Sequence, residues 1–404
     1  MLHRIAIPLA ILAVPLRAQA PDSTHPTALI GVTVIDGTGA AARPNQTVLI
    51  AGERIAAIFP SGSRPLPTDV MRVDLAGRFV IPGLIDTHVH VATDPSKEDT
   101  RARSERRLRK ALYGGITAVR DMAGDVRSLA SLQRDAMLGE IESPDLYYVA
   151  LFAGPAFFAD PRTQDASRGL TAGAVPWMRA ISDTTNLRQA VAEARGTGAT
   201  AIKLYADLSG PLTRRITAEA HAQRLPIWAH AALRPAQPID VVEAGVDVVS
   251  HASLLSRTTG PGLDSVFRAM LRHHTVLEPT LLVYQERPVL QATAGSITQR
   301  AHQLGITIIA GTDTLGDADT DSLTLPNIHK ELELLVRLGG LTPAEALAGA
   351  TRVAAQVLGA GQERGTLEPG KLADLVVLAA DPLADIRNSE SVQLVVKRGR
   401  VYRR

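Results

Sequence analysis

The chain has 404 residues, 45% hydrophobic and 21% charged, with a formal net charge of +2 and no cysteine. That profile belongs to a packed globular protein and excludes a disordered or fibrous chain, a disulfide framework and thiolate ligands, so any metal must be held by nitrogen and oxygen. No dense basic stripe with interleaved aromatics occurs, which argues against nucleic acid as a partner.

The first twenty residues read as an export leader: His3 and Arg4, an apolar run at 5–16, then Ala18-Gln19-Ala20 in the small-x-small pattern. Pro8 and Pro15 interrupt the run, and Pro21 would follow the cut. The run is too short to span a bilayer, and no later stretch approaches ~20 apolar residues, so a secreted or periplasmic chain with no membrane segment after leader removal is expected.

From 28 to 59 short β-type runs alternate with turns (ALIGVTVID, QTVLI, RIAAIF), and a matching stretch closes the chain in LADLVVL and VQLVVKRGRVY. Short strands at both ends leave unpaired edges unless they meet, which predicts a composite β-sandwich from 21–81 and 361–404. Between them, over 82–360, eight apolar runs alternate with helix-like segments: GLIDTHVH, ITAVRD, LYYVALFA, ATAIKLY, PIWAHA, VDVVSHA, TVLEPT and ITIIAGTD. Eight βα units predict an α/β fold with a closed (β/α)8 TIM barrel. Its final helix opens on Thr342-Pro343-Ala344-Glu345, a capping box with proline in the first turn. The longest connection, from 154 to about 183, contains GPAFFADPRT and is the candidate lid.

Chemistry concentrates at the ends of the runs. His88 and His90 stand at i and i+2 of the first strand, so both imidazoles face one side. His230 ends PIWAH, His251 ends VDVVSH and Asp313 ends ITIIAGTD; strand ends of such a barrel converge on the mouth where catalysis occurs. Taken singly, His230 and His251 could be core histidines; as a set the five residues suit a metal. Lys203 is one of only six lysines and lies inside the apolar run ATAIKLY. A buried ammonium needs a partner, so Lys203 is either ion-paired or a neutral amine that has taken up CO₂ as a carbamate, an anionic ligand able to bridge two ions.

The run PGLIDTHVH, strand-borne Lys203, His230 and His251, Asp313 in AGTDT and the terminal GTLEPGKLADLVVL together resemble the amidohydrolase superfamily, in particular imidazolonepropionase-like members that include prolidase-type dipeptidases. The resemblance covers nearly all of the chain after the leader. It implies two divalent ions, zinc by preference: His88, His90 and Asp313 on one, His230 and His251 on the other, carbamylated Lys203 and a hydroxide bridging both. Asp313 would shuttle the proton to the departing amine, and a small amide or dipeptide would be the substrate. Tyr205, two residues beyond Lys203, is either a substrate contact or a core or rim aromatic; His329 is either a mouth residue or the start of a helix; Arg120 could bind a substrate carboxylate or pair with Asp121. Phe157 and Phe158 could line an apolar pocket and Arg162 could bind an acidic group. The chain departs from many relatives in lacking a glycine-rich, histidine-containing segment after the third strand. A barrel that only binds is the non-enzymatic alternative, and a homo-oligomer stays open.

Overall fold

The computed structural model describes residues 26–258, 262–316, 319 and 322–404. The leader expected at 1–20 lies outside the described residues. No helix among the described residues is long and apolar enough to cross a membrane.

The two ends of the chain do meet. One eight-stranded sheet runs from Arg400–Arg403 through Val392–Lys397, Leu375–Leu378, Phe79–Pro82, Thr27–Val34 and Arg43–Ala51 to Arg54–Pro60, with Met71–Asp74 beside Thr27–Val34. The join is antiparallel, Leu375 opposite Pro82 and Leu378 opposite Phe79. Alternate residues divide as strand geometry requires. Leu375 and Val377 cluster with Leu29, Val48, Ile55, Val80 and Val396 in a core of the sheet's own, whereas Val376, Leu378, Ile81 and Val395 pack into the main core. The expected sandwich is therefore one continuous ladder, because pairing across the termini joins the two sets of strands edge to edge.

The middle of the chain is α/β with parallel strands, of TIM-barrel type, but its hydrogen-bonded ladder is not one closed ring of eight. Leu84–Val89, Ile116–Asp121 and Asp145–Tyr148 form one sheet; Ala150–Ala153, Ile202–Leu204, Ile227–His230, Val248–Ser250 and Val276–Glu278 form another, together with the short strands Ala174–Val175 and Met178–Ala180. Two features break the ring. The third run divides at Val149, its first half pairing with Ile116–Asp121 and its second with Ile202–Leu204 and Met178–Ala180. The eighth run makes only a bridge, Leu277 to Ile308; beyond it the Thr312 amide turns to Asp86 Oδ1 and Asp313 adopts φ 60°. Its backbone still bonds the first strand, Thr87 N to Ala310 O at 3.3 Å and Asp313 N to His88 O at 2.8 Å.

The long connection after the third strand is structured, with a 3₁₀ turn at Pro155–Ala159, a helical turn at Pro161–Asp165 and the two short strands. Thr342 and Glu345 make the expected capping box. At the N-terminal ends of the strands, the Asp145 carboxylate receives Arg364, Lys397 at 2.7 Å and Arg398 at 2.9 Å, which ties the parallel strands to the terminal sheet.

Candidate metal centre

His88 is buried on Leu84–Val89, and its ring is fixed from behind: Nδ1 donates to Glu278 Oε2 at 2.6 Å, leaving Nε2 at 3.1 Å from Asp313 Oδ1. His90 follows the same plan at the rim, with Nδ1 at 3.1 Å from Thr93 Oγ1 and Nε2 at 3.1 Å from the same Asp313 oxygen. These three residues offer ligand atoms all within 4.8 Å of one another. Two imidazole nitrogens and one carboxylate oxygen are a donor set that suits a zinc-like divalent ion. Both rings are tethered through the nitrogen that faces away, which is the usual support of a metal-binding histidine. The residues fit the group.

The remaining predicted ligands adjoin this trio without entering it. The His251 ring lies 5.1 Å from that of His88, and the His230 ring 4.7 Å from that of His251. His251 is held by Thr280 Oγ1 at 2.9 Å from Nδ1. His251 and Asp313 both stand at positive φ, 70° and 60°, a backbone conformation that costs free energy outside glycine and is found where surrounding structure enforces it. Lys203 is fully buried, and among the described residues no carboxylate is in hydrogen-bond range; Nζ donates to Ser250 Oγ at 2.9 Å, and Ser250 Oγ donates to Glu278 Oε2 at 2.7 Å. Burial lowers the Lys203 ammonium to about 8, although Glu278 and Asp313 oppose the shift. Burial likewise pushes His230 well down and His251 to about 3, keeping both imidazoles neutral as ligands require. His88 behaves oppositely: burial works against its charge, but Glu278 and Asp313 outweigh it and raise it to about 9.

Two cavities open on this cluster and share Asp313 and Tyr205 in their walls. One, of about 530 Å³, is bounded by His230, His251, Leu254, Tyr284, Arg234 and Arg287. The other, of about 310 Å³, is bounded by His90, Met122, Leu151, Phe157, Arg162 and Met178. Tyr205 packs at a tilt against His230 with centroids 4.0 Å apart, and Phe157 against Tyr205 at 4.5 Å. The segment that lacks the expected histidine thus supplies an aromatic wall. Phe158 faces the core instead, and Arg162 is paired with Asp160 at 2.7 Å.

Two candidate substrate contacts lie away from this cluster. His329 is buried, with Nε2 donating to Gly114 O at 2.8 Å and Nδ1 at 3.0 Å from Ser389 Oγ. Gly114 precedes the strand Ile116–Asp121, so His329 sits at the end of the barrel away from the mouth; the helix Ile328–Arg337 begins there and turns its first residues inward. Arg120 is fully buried, its guanidinium 4.8 Å from the Trp228 ring and Nη2 at 3.3 Å from Thr200 Oγ1. It fills the barrel interior below the site and does not pair with Asp121, whose oxygens receive the amides of Val91 and Ala123.

The sequence reading missed three buried acids. Asp86 accepts from the His88 amide at 3.2 Å and from Thr312 Oγ1 at 2.7 Å, and burial raises it to about 7. Glu278 holds the His88 ring from behind, and despite burial His88 keeps it down at about 2. Glu331 accepts from the amides of Leu281 and Leu282. The signal was present in the sequence, since Glu278 and Asp86 are ionisable residues inside apolar runs, the same feature that singles out Lys203.

The chain is 29% identical over 364 residues to an imidazolonepropionase of Aromatoleum aromaticum, covering 80% of this chain and 83% of that one. It is 27% identical over 444 aligned positions to an ochratoxinase of Aspergillus niger, covering 96% and 89%. Among solved structures, a prolidase complexed with N-methylphosphonate-L-proline superposes with a TM-score of 0.73 at 25% identity, over 94% of this chain and 100% of that one. Residues 79–402 match the family described as Amidohydrolase family, a span that takes in all six predicted ligands, and the chain belongs to that family.

Proposed function

We propose that this protein hydrolyses a C–N bond of a small amide, with a divalent-metal centre at the mouth of its TIM-barrel-type domain. His88, His90 and Asp313 would hold one ion, His230 and His251 a second, and Lys203, as its carbamate, would join them; zinc suits these nitrogen and oxygen donors best. Such ions supply Lewis acidity to the scissile carbonyl and lower the pKa of a water. The chain supplies the rest. Asp313 carries the argument, because its carboxylate stands 3.1 Å from two imidazole nitrogens and also lines both cavities. From there it can accept the proton of the attacking water and return it to the leaving nitrogen, without which an amine departs poorly. Tyr205 lies in the wall between the cavities and would orient the substrate across the divide. Replacing Asp313 by Asn should lower turnover of a cleaved amide by about 10²–10⁴-fold, the usual worth of a positioned proton-transfer group; full turnover in that variant would remove the proposal.

A dipeptide is the narrower substrate reading. It is favoured by the solved prolidase and its proline-based phosphonate, and by Tyr205 and Arg162 lining the smaller cavity together. A panel of dipeptides left uncut by zinc-loaded protein, against an N-acyl amide that is cut, would reject it. Export is part of the same proposal on the leader pattern at 1–20; protein that stays in the cytoplasmic fraction and still begins at Met1 by mass spectrometry would reject that part.

A further inference from the structure

We propose that Glu278 is the positioning residue of the metal centre, fixing His88 directly and Lys203 through Ser250. The inference rests on the metal reading above and adds a residue to it. Glu278 ends the strand Val276–Glu278 and is completely buried. Its two oxygens gather three donors from two other strands: Thr87 Oγ1 at 2.6 Å on Oε1, and His88 Nδ1 at 2.6 Å and Ser250 Oγ at 2.7 Å on Oε2. Ser250 in turn receives Lys203 Nζ at 2.9 Å. One carboxylate therefore connects a residue of the His88–His90–Asp313 trio with the lysine assigned to join the two ions.

The space for it is built in. A Cβ on Gly311 would come within 2.5 Å of Glu278 Oε1 and 2.8 Å of the His88 Cβ, so the eighth run must carry glycine there for the carboxylate and the imidazole to sit side by side. A buried carboxylate is costly, and well-packed apolar residues would stabilise the same volume at least as well. What an apolar residue cannot do is choose the orientation of an imidazole. A carboxylate at Nδ1 keeps the proton on that nitrogen and turns the Nε2 lone pair toward the ion, and it raises the basicity of the ligand.

The discriminating variant is Glu278→Gln, which keeps shape and removes charge, compared with wild type by zinc titration calorimetry and by thermal unfolding of the metal-free protein. Loss of a supporting carboxylate is expected to weaken zinc binding by about 10–100-fold, alongside a lower metal-free melting temperature, because His88 loses its buried partner. A lower melting temperature with unchanged zinc affinity would make Glu278 a packing residue and overturn the inference. Ser250→Ala provides a second arm in case Glu278→Gln does not fold: it leaves the bond to His88 and cuts the link to Lys203. It is expected to reduce the zinc bound in bicarbonate buffer from about two equivalents toward one; wild-type zinc content in that variant would overturn the Lys203 half. Wild-type protein that binds no zinc would defeat the metal reading itself and this inference with it, whereas tight binding by wild type and Glu278→Gln alike would defeat only this one.

Discussion

The ring of Phe157 lies against that of Tyr205, with centroids 4.5 Å apart. Tyr205 rests in turn on His230, so the loop after the third strand reaches the candidate metal centre through a chain of tilted ring contacts. Phe157→Ala should enlarge the smaller cavity, release Tyr205 and lower kcat/KM for a compact amide by about 1–3 kcal/mol, roughly 10–200-fold, as apolar pocket contacts usually do. Bulkier acyl groups should lose less. Steady-state kinetics on two amides differing in acyl size would check this, and an equal loss for both would show that Phe157 does not shape the pocket.

The Asp145 carboxylate gathers Arg364, Lys397 and Arg398, with Asp374 3.5 Å from Arg364. Burial opposes its charge, but the three cations hold it well below the usual carboxylate range. Asp145→Asn leaves those cations without their common partner, and breaking a buried ion pair on one side typically costs about 3–5 kcal/mol. Denaturant unfolding should show a loss of that order, with zinc affinity of the surviving folded protein unchanged. A variant as stable as wild type would mean that the terminal sheet is held by its apolar contacts alone.

Glu331 accepts from the amides of Leu281 at 2.9 Å and Leu282 at 2.8 Å. Burial raises it from 4.5 to about 8, although those amides pull the other way. The folded state thus binds more protons than the unfolded one between those two values, and stability contributed by this group falls as pH rises through that window. Glu331→Gln retains an acceptor oxygen without the titration. In metal-free protein its melting temperature should exceed that of wild type at pH 8 and approach it at pH 4.5; the same difference at both pH values would contradict the assignment.

Arg120 stacks on Trp228, and among the described residues its Nε and Nη1 have no hydrogen-bond partner. Burial lowers it to about 10, against the pull of Glu278. Arg120→Met keeps much of the packing and removes a poorly satisfied charge, so stability should hold or rise and KM for a cleaved amide should not change. A large increase in KM would restore Arg120 as a substrate contact.

Much of the site is legible in the sequence because strand geometry is rigid: His88 and His90 share a face, and the ends of apolar runs place His230, His251 and Asp313 at one mouth. Lys203 is legible by its cost, as a charge inside ATAIKLY. The same logic extends to Glu278 in TVLEPT, but its partners come from strands distant in sequence, and only the fold brings Thr87, His88 and Ser250 to it. His329 shows the opposite limit. Its distance in sequence from the eighth run lets it reach the mouth, yet the direction of the helix Ile328–Arg337 depends on packing that no local pattern encodes. The broken ladder is equally hidden, since ITIIAGTD reads as a strand while its last residues are turned out of the ladder by the Thr312 bond to Asp86 and the positive φ of Asp313. The pairing of the two termini is predictable from their strand patterns, but whether they stack or join edge to edge is not.

The most direct test is the metal content of purified protein, measured by elemental analysis for wild type and Lys203→Ala in bicarbonate buffer with zinc supplied. The account predicts about two equivalents in wild type and a sharp fall in the variant, with amide turnover falling in parallel. One equivalent that the substitution leaves untouched would make Lys203 structural and contradict the bridged centre; no metal in either protein would contradict the hydrolase itself.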